Sequence, residues 1–131
     1  MNNKLISIAA LLAFLAVALG ALVAHSLNEL LTTEKLNSFE IGVRHQFYHS
    51  LALLIIGLNA SKLNATALIG KIMLIEIVLF SFSLYLLYIQ EIIGINLSIL
   101  VPITPVGGIF FIVFMAYFID QKLQEITILI S

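Results

Sequence analysis

No cysteine occurs in the 131 residues. Disulfides, thiolate metal sites, iron–sulfur clusters and covalently attached c-type haem are therefore excluded. Charge is almost as scarce: Asp, Glu, Lys and Arg together make up 10% of the chain, where a soluble domain carries roughly 25% to solvate its surface. The six basic residues are scattered and the net charge is −1, so nothing builds the positive field that draws nucleic acid. Also missing are a hydrolase nucleophile arrangement, a phosphate loop and a dinucleotide fingerprint. Too little chain is left outside the apolar runs for a catalytic domain. A non-enzymatic protein without a cofactor is expected.

What fills the chain is apolar. Hydrophobic residues account for 62% and mean hydropathy is +1.17, which places the protein in a lipid bilayer. A helix needs about 20 residues to cross roughly 30 Å of hydrocarbon, so there is room for four spans. The expected fold is an all-α integral membrane four-helix bundle, one domain over 1–131 with spans near 5–27, 41–58, 68–90 and 105–120. The first apolar run, behind Lys4, is too long for the core of an ordinary signal peptide and reads as a retained helix. Its small residues Ala9, Ala13, Ala16, Gly20 and Ala24 recur at spacings of three and four, making one smooth face for close helix packing.

The connections are polar and short. After His25 comes SLNELLTTEKLNSFE, where Thr32 or Thr33 can cap a helix that starts near Glu34 and continues into the second span. A loop over 59–66 precedes the third span. Gly94, Asn96 and Pro102 interrupt the next apolar stretch, predicting a broken or re-entrant linker between helices three and four. Thr104 suits the N-cap of the fourth helix and Pro105 its first position, where no N–H is needed. The tail over 121–131 can prolong that helix along the interface. Lys4, Lys62, Lys71 and Lys122 fall on one side and Lys35 and Arg44 on the other. Positive charge collects on the cytoplasmic side, so both termini are expected there.

The stretch GVRHQFYHSLALLIIG, residues 42–57, opens the second span with Arg44, His45, Gln46 and His49. On this topology His25 closes the first span on the same side. Ser81, Ser83 and Tyr85 fall in the outer half of the third span, and Thr104 opens the fourth. The polar side chains are thus expected in the outer leaflet, with Glu76 nearer the middle. A carboxylate there costs on the order of 2.5 to 3.5 kcal/mol on insertion scales and needs a proton, a partner or water. Ser83 lies nearly on its helix face, Tyr85 points the opposite way, and Lys71 can reach up from the inner interface.

Four segments, ALGALVAHSL (18–27), FEIGVRHQFYHSLALL (39–54), LFSFSLYLL (79–87) and ITPVGGIFFI (103–112), resemble in order the signature segments of a small bacterial membrane-protein family. It is catalogued as domain of unknown function 423, and eukaryotic transmembrane protein 256 is similar to it. The family pattern is close to GAFGAH, YQ..HALA, LFSGSLY and TPxGG. Gly20, Ala24, His25, Gln46, His49, Ser81, Ser83, Tyr85, Thr104, Pro105, Gly107 and Gly108 match it. Val23 and Phe82 replace family glycines, and His45 stands where an aromatic is usual. The resemblance implies four helices in a bacterial cytoplasmic membrane and assigns no activity.

Two readings of the polar residues follow. In one, His25, Arg44, His45, Gln46, His49, Glu76, Ser83, Tyr85 and Thr104 hydrogen-bond across helices, while Gly20, Ala24, Ser81, Pro105, Gly107 and Gly108 let helices approach. The protein is then an interaction or accessory protein, with a membrane-protein partner or a second copy beside the lipid. Arg44 on this reading snorkels to the interface. In the other, Glu76 and the histidines form a proton, metal-ion or small-solute relay. The i, i+4 pair His45 and His49 would chelate an ion with His25 as third ligand.

Overall fold

The computed structural model describes residues 1–63 and 66–130, with the side chains at 121 and 125 outside that description. Positions 64 and 65 of the expected second loop and 131 of the tail fall outside the described residues. Four helices make an all-α membrane bundle: α1 spans Asn3–Leu27, α2 Thr33–Leu58, α3 Thr66–Ile93 and α4 Ile103–Ile130. Three of them are long and apolar enough to cross a membrane by themselves. The helix that is not is α2, because Glu34, Lys35, Glu40 and Arg44 and the polar run around His45 dilute its hydropathy. Its buried residues Phe39, Gly42, Gln46, Ser50, Leu53 and Gly57 recur at spacings of three and four, so it enters the bundle with one face turned to its neighbours.

Helices α1 and α2 form an antiparallel hairpin. The backbone N–H of Asn2 donates to Gly57 O at 2.9 Å, Gly57 lies against Ile6, and Gly20 against Val43. Ala9 and Ala16 of the small-residue face are fully buried, as that spacing predicts; Ala24 at its end is exposed. Two helices contain π-type turns, Val23–Leu27 at the end of α1 and Val78–Phe82 inside α3. A π turn widens the helix by one residue and shifts the side chains after it.

The connection from α3 to α4 is broken, as expected. Gly94 ends α3 in the left-handed region with φ 70°, a conformation that costs a residue with a Cβ. Gln90 then accepts the Leu97 N–H on its side chain at 2.7 Å, and Asn96 accepts the Ser98 N–H at 3.0 Å, ahead of a short 3-10 turn, Ser98–Leu100. The fourth helix begins at Ile103, two residues earlier than an N-cap at Thr104 would allow. Thr104 is a helical residue whose hydroxyl is engaged with Ser83 instead. Pro105 still sits in the first turn, where backbone N–H groups have no intrahelical partner.

The core is layered. One apolar cluster gathers Leu5, Ala9, Leu53, Ile69, Met73 and Phe114. A second, at the opposite end, gathers Val23, Leu27, Leu31, Phe39 and Tyr85. Between them lie the buried polar residues Gln46, Ser50, Glu76, Ser81 and Ser83. The polar side chains therefore occupy the middle of the bundle rather than one end, which corrects the outer-leaflet expectation. Helix α2 starts at Thr33, so twelve residues, about 18 Å of helix, precede His45.

Candidate functional site

Gln46 is the first side chain that organises this layer. It is fully buried, donates from Nε2 to Leu12 O of α1 at 2.8 Å and accepts from the Tyr85 hydroxyl of α3 at 2.8 Å. One amide thus joins three helices. Ser50, one turn on, donates to Gln46 O at 2.6 Å, keeping its own hydroxyl satisfied within α2. Phe39 lies tilted against Tyr85 at a centroid distance of 4.7 Å, so the ring that carries the hydroxyl is packed on its apolar side.

A second set joins α3 to α4. Ser83 Oγ lies 2.6 Å from Thr104 Oγ1 and 2.9 Å from Phe80 O. With one proton on each hydroxyl, Ser83 donates to its own helix and accepts from Thr104. This contact sits just beyond the π turn, whose displaced carbonyls the serine helps to satisfy. Gly107 of α4 lies directly on the same turn: a Cβ there would come within 2.8 Å of Phe80 N and 3.1 Å of the Leu79 carbonyl carbon. Gly108 has more room, its nearest neighbour being the Phe80 ring at 3.8 Å.

The third set carries the ionisable groups. Glu76 of α3 is fully buried. Its Oε1 is paired with His45 Nε2 of α2, and its Oε2 has no hydrogen-bond partner among the described residues. His49 stands one turn from His45, with ring centroids 3.9 Å apart. His49 Nδ1 lies 2.7 Å from His45 O. A carbonyl oxygen only accepts, so Nδ1 carries the hydrogen, and Nε2 of a neutral His49 keeps an open lone pair. Aromatic rings enclose the set: Phe80 stacks on His45 at 4.0 Å, and Phe111 presents its edge to His49 at 4.3 Å. One nitrogen from each histidine and one carboxylate oxygen lie within 4.8 Å of one another. Two imidazoles and a carboxyl group in an apolar surround can hold a cation.

Not every residue singled out in the sequence joins this layer. His25 is exposed on the π turn that ends α1, thirteen residues or about 20 Å of helix beyond the Leu12 that Gln46 contacts. It is too far away to be the third ligand of a His45 and His49 site; Glu76 takes that place. Arg44 points outward and pairs with Glu40 at 2.7 Å on the surface. Lys71 is exposed. Ser83, which helical spacing puts nearly on the face of Glu76, bonds Thr104; the π turn Val78–Phe82 lies between the two and rotates them off a common face. Sequence reasoning missed Ser50, Phe80 and Phe111. Ser50 follows Gln46 by four residues and could have been found from helical spacing; the two rings carry no signal beyond being aromatic.

Comparison with known proteins agrees with this architecture. The family model described as "Protein of unknown function (DUF423)" matches residues 19–108, which include the whole polar layer except Leu12. A UPF0382 membrane protein of Haemophilus influenzae is 37% identical over 114 residues, covering 86% of this chain and 88% of its own. The UPF0382 membrane protein YwdK of Bacillus subtilis is 40% identical over 111 residues, covering 82% and 86%. Another, from Staphylococcus saprophyticus, is 38% identical over 110 residues, covering 82% and 87%. No solved structure matches the chain. With most of its length aligned to these bacterial relatives, the chain belongs to the DUF423 family of membrane proteins, whose function is unknown.

Proposed function

We propose that this protein is a non-enzymatic interaction or accessory protein of the bacterial cytoplasmic membrane, with both termini on the cytoplasmic side. The observation that carries this reading is the Gln46 bridge between Leu12 and Tyr85. It has company: the Ser83 to Thr104 contact and the Gly107 approach also use motif residues to hold helices together. Side chains consumed in this way leave the outer helix faces as the working surface. Those faces carry large apolar residues, such as Leu11, Phe14 and Val17 on α1 and Ile109, Ile112 and Val113 on α4. They suit lipid, a membrane-protein partner or a second copy. The test combines thermal unfolding in detergent with ion flux in proteoliposomes. Gln46→Ala and Ser83→Ala should lower stability while the wild type shows no flux of protons or divalent cations. A wild-type flux abolished by Glu76→Gln would sink the accessory reading.

That opposite outcome belongs to a second reading, transport or relay of a cation, which one observation favours. A carboxyl group fully buried in the middle of a membrane bundle is costly, and a buried polar pair contributes little net stability compared with apolar side chains in its place. The Glu76 and His45 pair is therefore poorly explained as structure alone.

A further inference from the structure

We infer that His45, His49 and Glu76 form a binding site for a single divalent transition-metal ion of the zinc class. The inference goes beyond the accessory reading and supplies the relay reading, on which it leans for a biological role, with its ion. Three observations support it independently. The three donor atoms already lie within 4.8 Å of one another, while donors around a tetrahedral ion at about 2.1 Å are roughly 3.4 Å apart, so small side-chain rotations close the gap. Glu76 Oε2 is buried and without a hydrogen-bond partner among the described residues, an unsatisfied polar atom inside the bundle. And His49 is held by its Nδ1–H on His45 O, leaving Nε2 as the free donor. A backbone carbonyl fixing the far nitrogen is the usual support of a metal-ligating histidine.

The donor set selects the ion. Two imidazole nitrogens and one carboxylate oxygen suit zinc, iron(II), nickel or copper(II), whereas magnesium and calcium ask for more oxygen donors than this layer offers. Two histidines at i and i+4 put both rings on one face of α2, and Glu76 comes from the facing α3, so the ion would pin two helices at mid-bundle. Phe80 and Phe111, packed on the two rings, keep the rotamers in place. Three protein ligands leave a fourth position for water.

The experiment uses the untagged full chain in detergent. Zinc content is measured by mass spectrometry after equilibration and dialysis, and cobalt(II) titration gives the visible d–d bands of the bound ion. The expected result is one zinc per chain, an intense cobalt spectrum of low coordination number, and a thermal midpoint that rises with added zinc. Glu76→Gln and His49→Ala should each weaken binding by about a hundredfold or more and abolish the zinc-dependent shift, since removing even an outer-shell partner costs 10- to 100-fold. The double variant His45→Phe with Glu76→Leu, which replaces the pair by apolar side chains, provides a cluster variant suited to folding even if the other two do not. His25→Ala should bind like the wild type. Less than a tenth of a zinc per chain in the wild type, binding undiminished in all three cluster variants, or binding lost in His25→Ala would each overturn the site. The relay reading is tested separately in proteoliposomes: stoichiometric zinc without Glu76-dependent flux defeats the relay and upholds the site.

Discussion

The Tyr85 hydroxyl donates to Gln46 Oε1 at 2.8 Å, and the same amide donates to Leu12 O at 2.8 Å. Both side chains are buried, and each interhelical hydrogen bond in a membrane is worth about 0.6 kcal/mol, up to about 1.7. Gln46→Ala removes two of them and leaves a void, so it should cost roughly 1 to 3 kcal/mol. Tyr85→Phe removes one bond and keeps the ring on Phe39, so its loss should be smaller. Reversible unfolding in detergent of the two single variants and the double variant should give a coupling energy near 0.6 kcal/mol. Full additivity would mean that the bond does not hold the helices.

The neighbouring glycines of the fourth helix make a paired test of close packing. A Cβ at Gly107 would meet backbone of α3 at 2.8 Å, whereas one at Gly108 would meet only the edge of the Phe80 ring at 3.8 Å. Backbone cannot rotate aside. Gly107→Ala should therefore force α4 away from the π turn and cost about 1 to 3 kcal/mol, as overpacking does. Gly108→Ala should be neutral or slightly stabilising, because it removes backbone freedom from the unfolded chain without a clash. Thermal midpoints of the two variants in one detergent decide it; equal losses would contradict the packing described.

Much of this could be read from the chain in advance. Scarce charge and four apolar runs announce the helices; Ala9 and Ala16 mark the buried face of the first by spacing alone, and Gly94 and Asn96 mark the break before the fourth. What could not be read is how far along its helix each polar residue sits. His25 and His45 look like neighbours across one hairpin only if the turns before residue 41 lie along the interface. Because they form one continuous helix with the rest of α2 from Thr33 on, His45 meets Glu76 and His25 does not join the layer. The π turn at Val78–Phe82 was equally hidden, since a one-residue widening leaves no mark in composition. It redirects Ser83 from Glu76 to Thr104.

The buried pair itself predicts a reversal. His45→Phe leaves Glu76 without a partner, and Glu76→Leu leaves His45 facing an apolar wall. Each single change should destabilise the bundle by about 3 kcal/mol, the lower end for breaking a buried ion pair. Making both changes together replaces the pair by apolar side chains of similar bulk, and stability should return to the wild-type level or exceed it. A double variant as unstable as the sum of the singles would show no coupling between the two side chains and would contradict the pairing described. The unfolding midpoints must be compared without added metal, so that only the protein's own contacts are read.

Orientation has a direct test because the chain has no native cysteine. Asn28 is exposed in the connection between the first two helices, and Ser61 is exposed in the connection between the second and third. On the orientation proposed from the excess of Lys4, Lys62, Lys71 and Lys122 over Lys35 and Arg44, the second connection lies on the cytoplasmic side. A membrane-impermeant thiol reagent applied to spheroplasts should then label Asn28→Cys at once, and Ser61→Cys only after the membrane is permeabilised. Lys35 and Glu91 tie the non-cytoplasmic ends of α2 and α3 on this orientation, so a cysteine at Ser98, in the last connection, should label like Asn28→Cys. The reverse pattern would place both termini outside, and labelling of Asn28→Cys and Ser61→Cys from the same side would mean that the α1–α2 connection and the α2–α3 connection are not separated by the membrane. That last result would remove α2 from the set of spans, a strict demand on the one helix whose hydropathy does not carry it across alone.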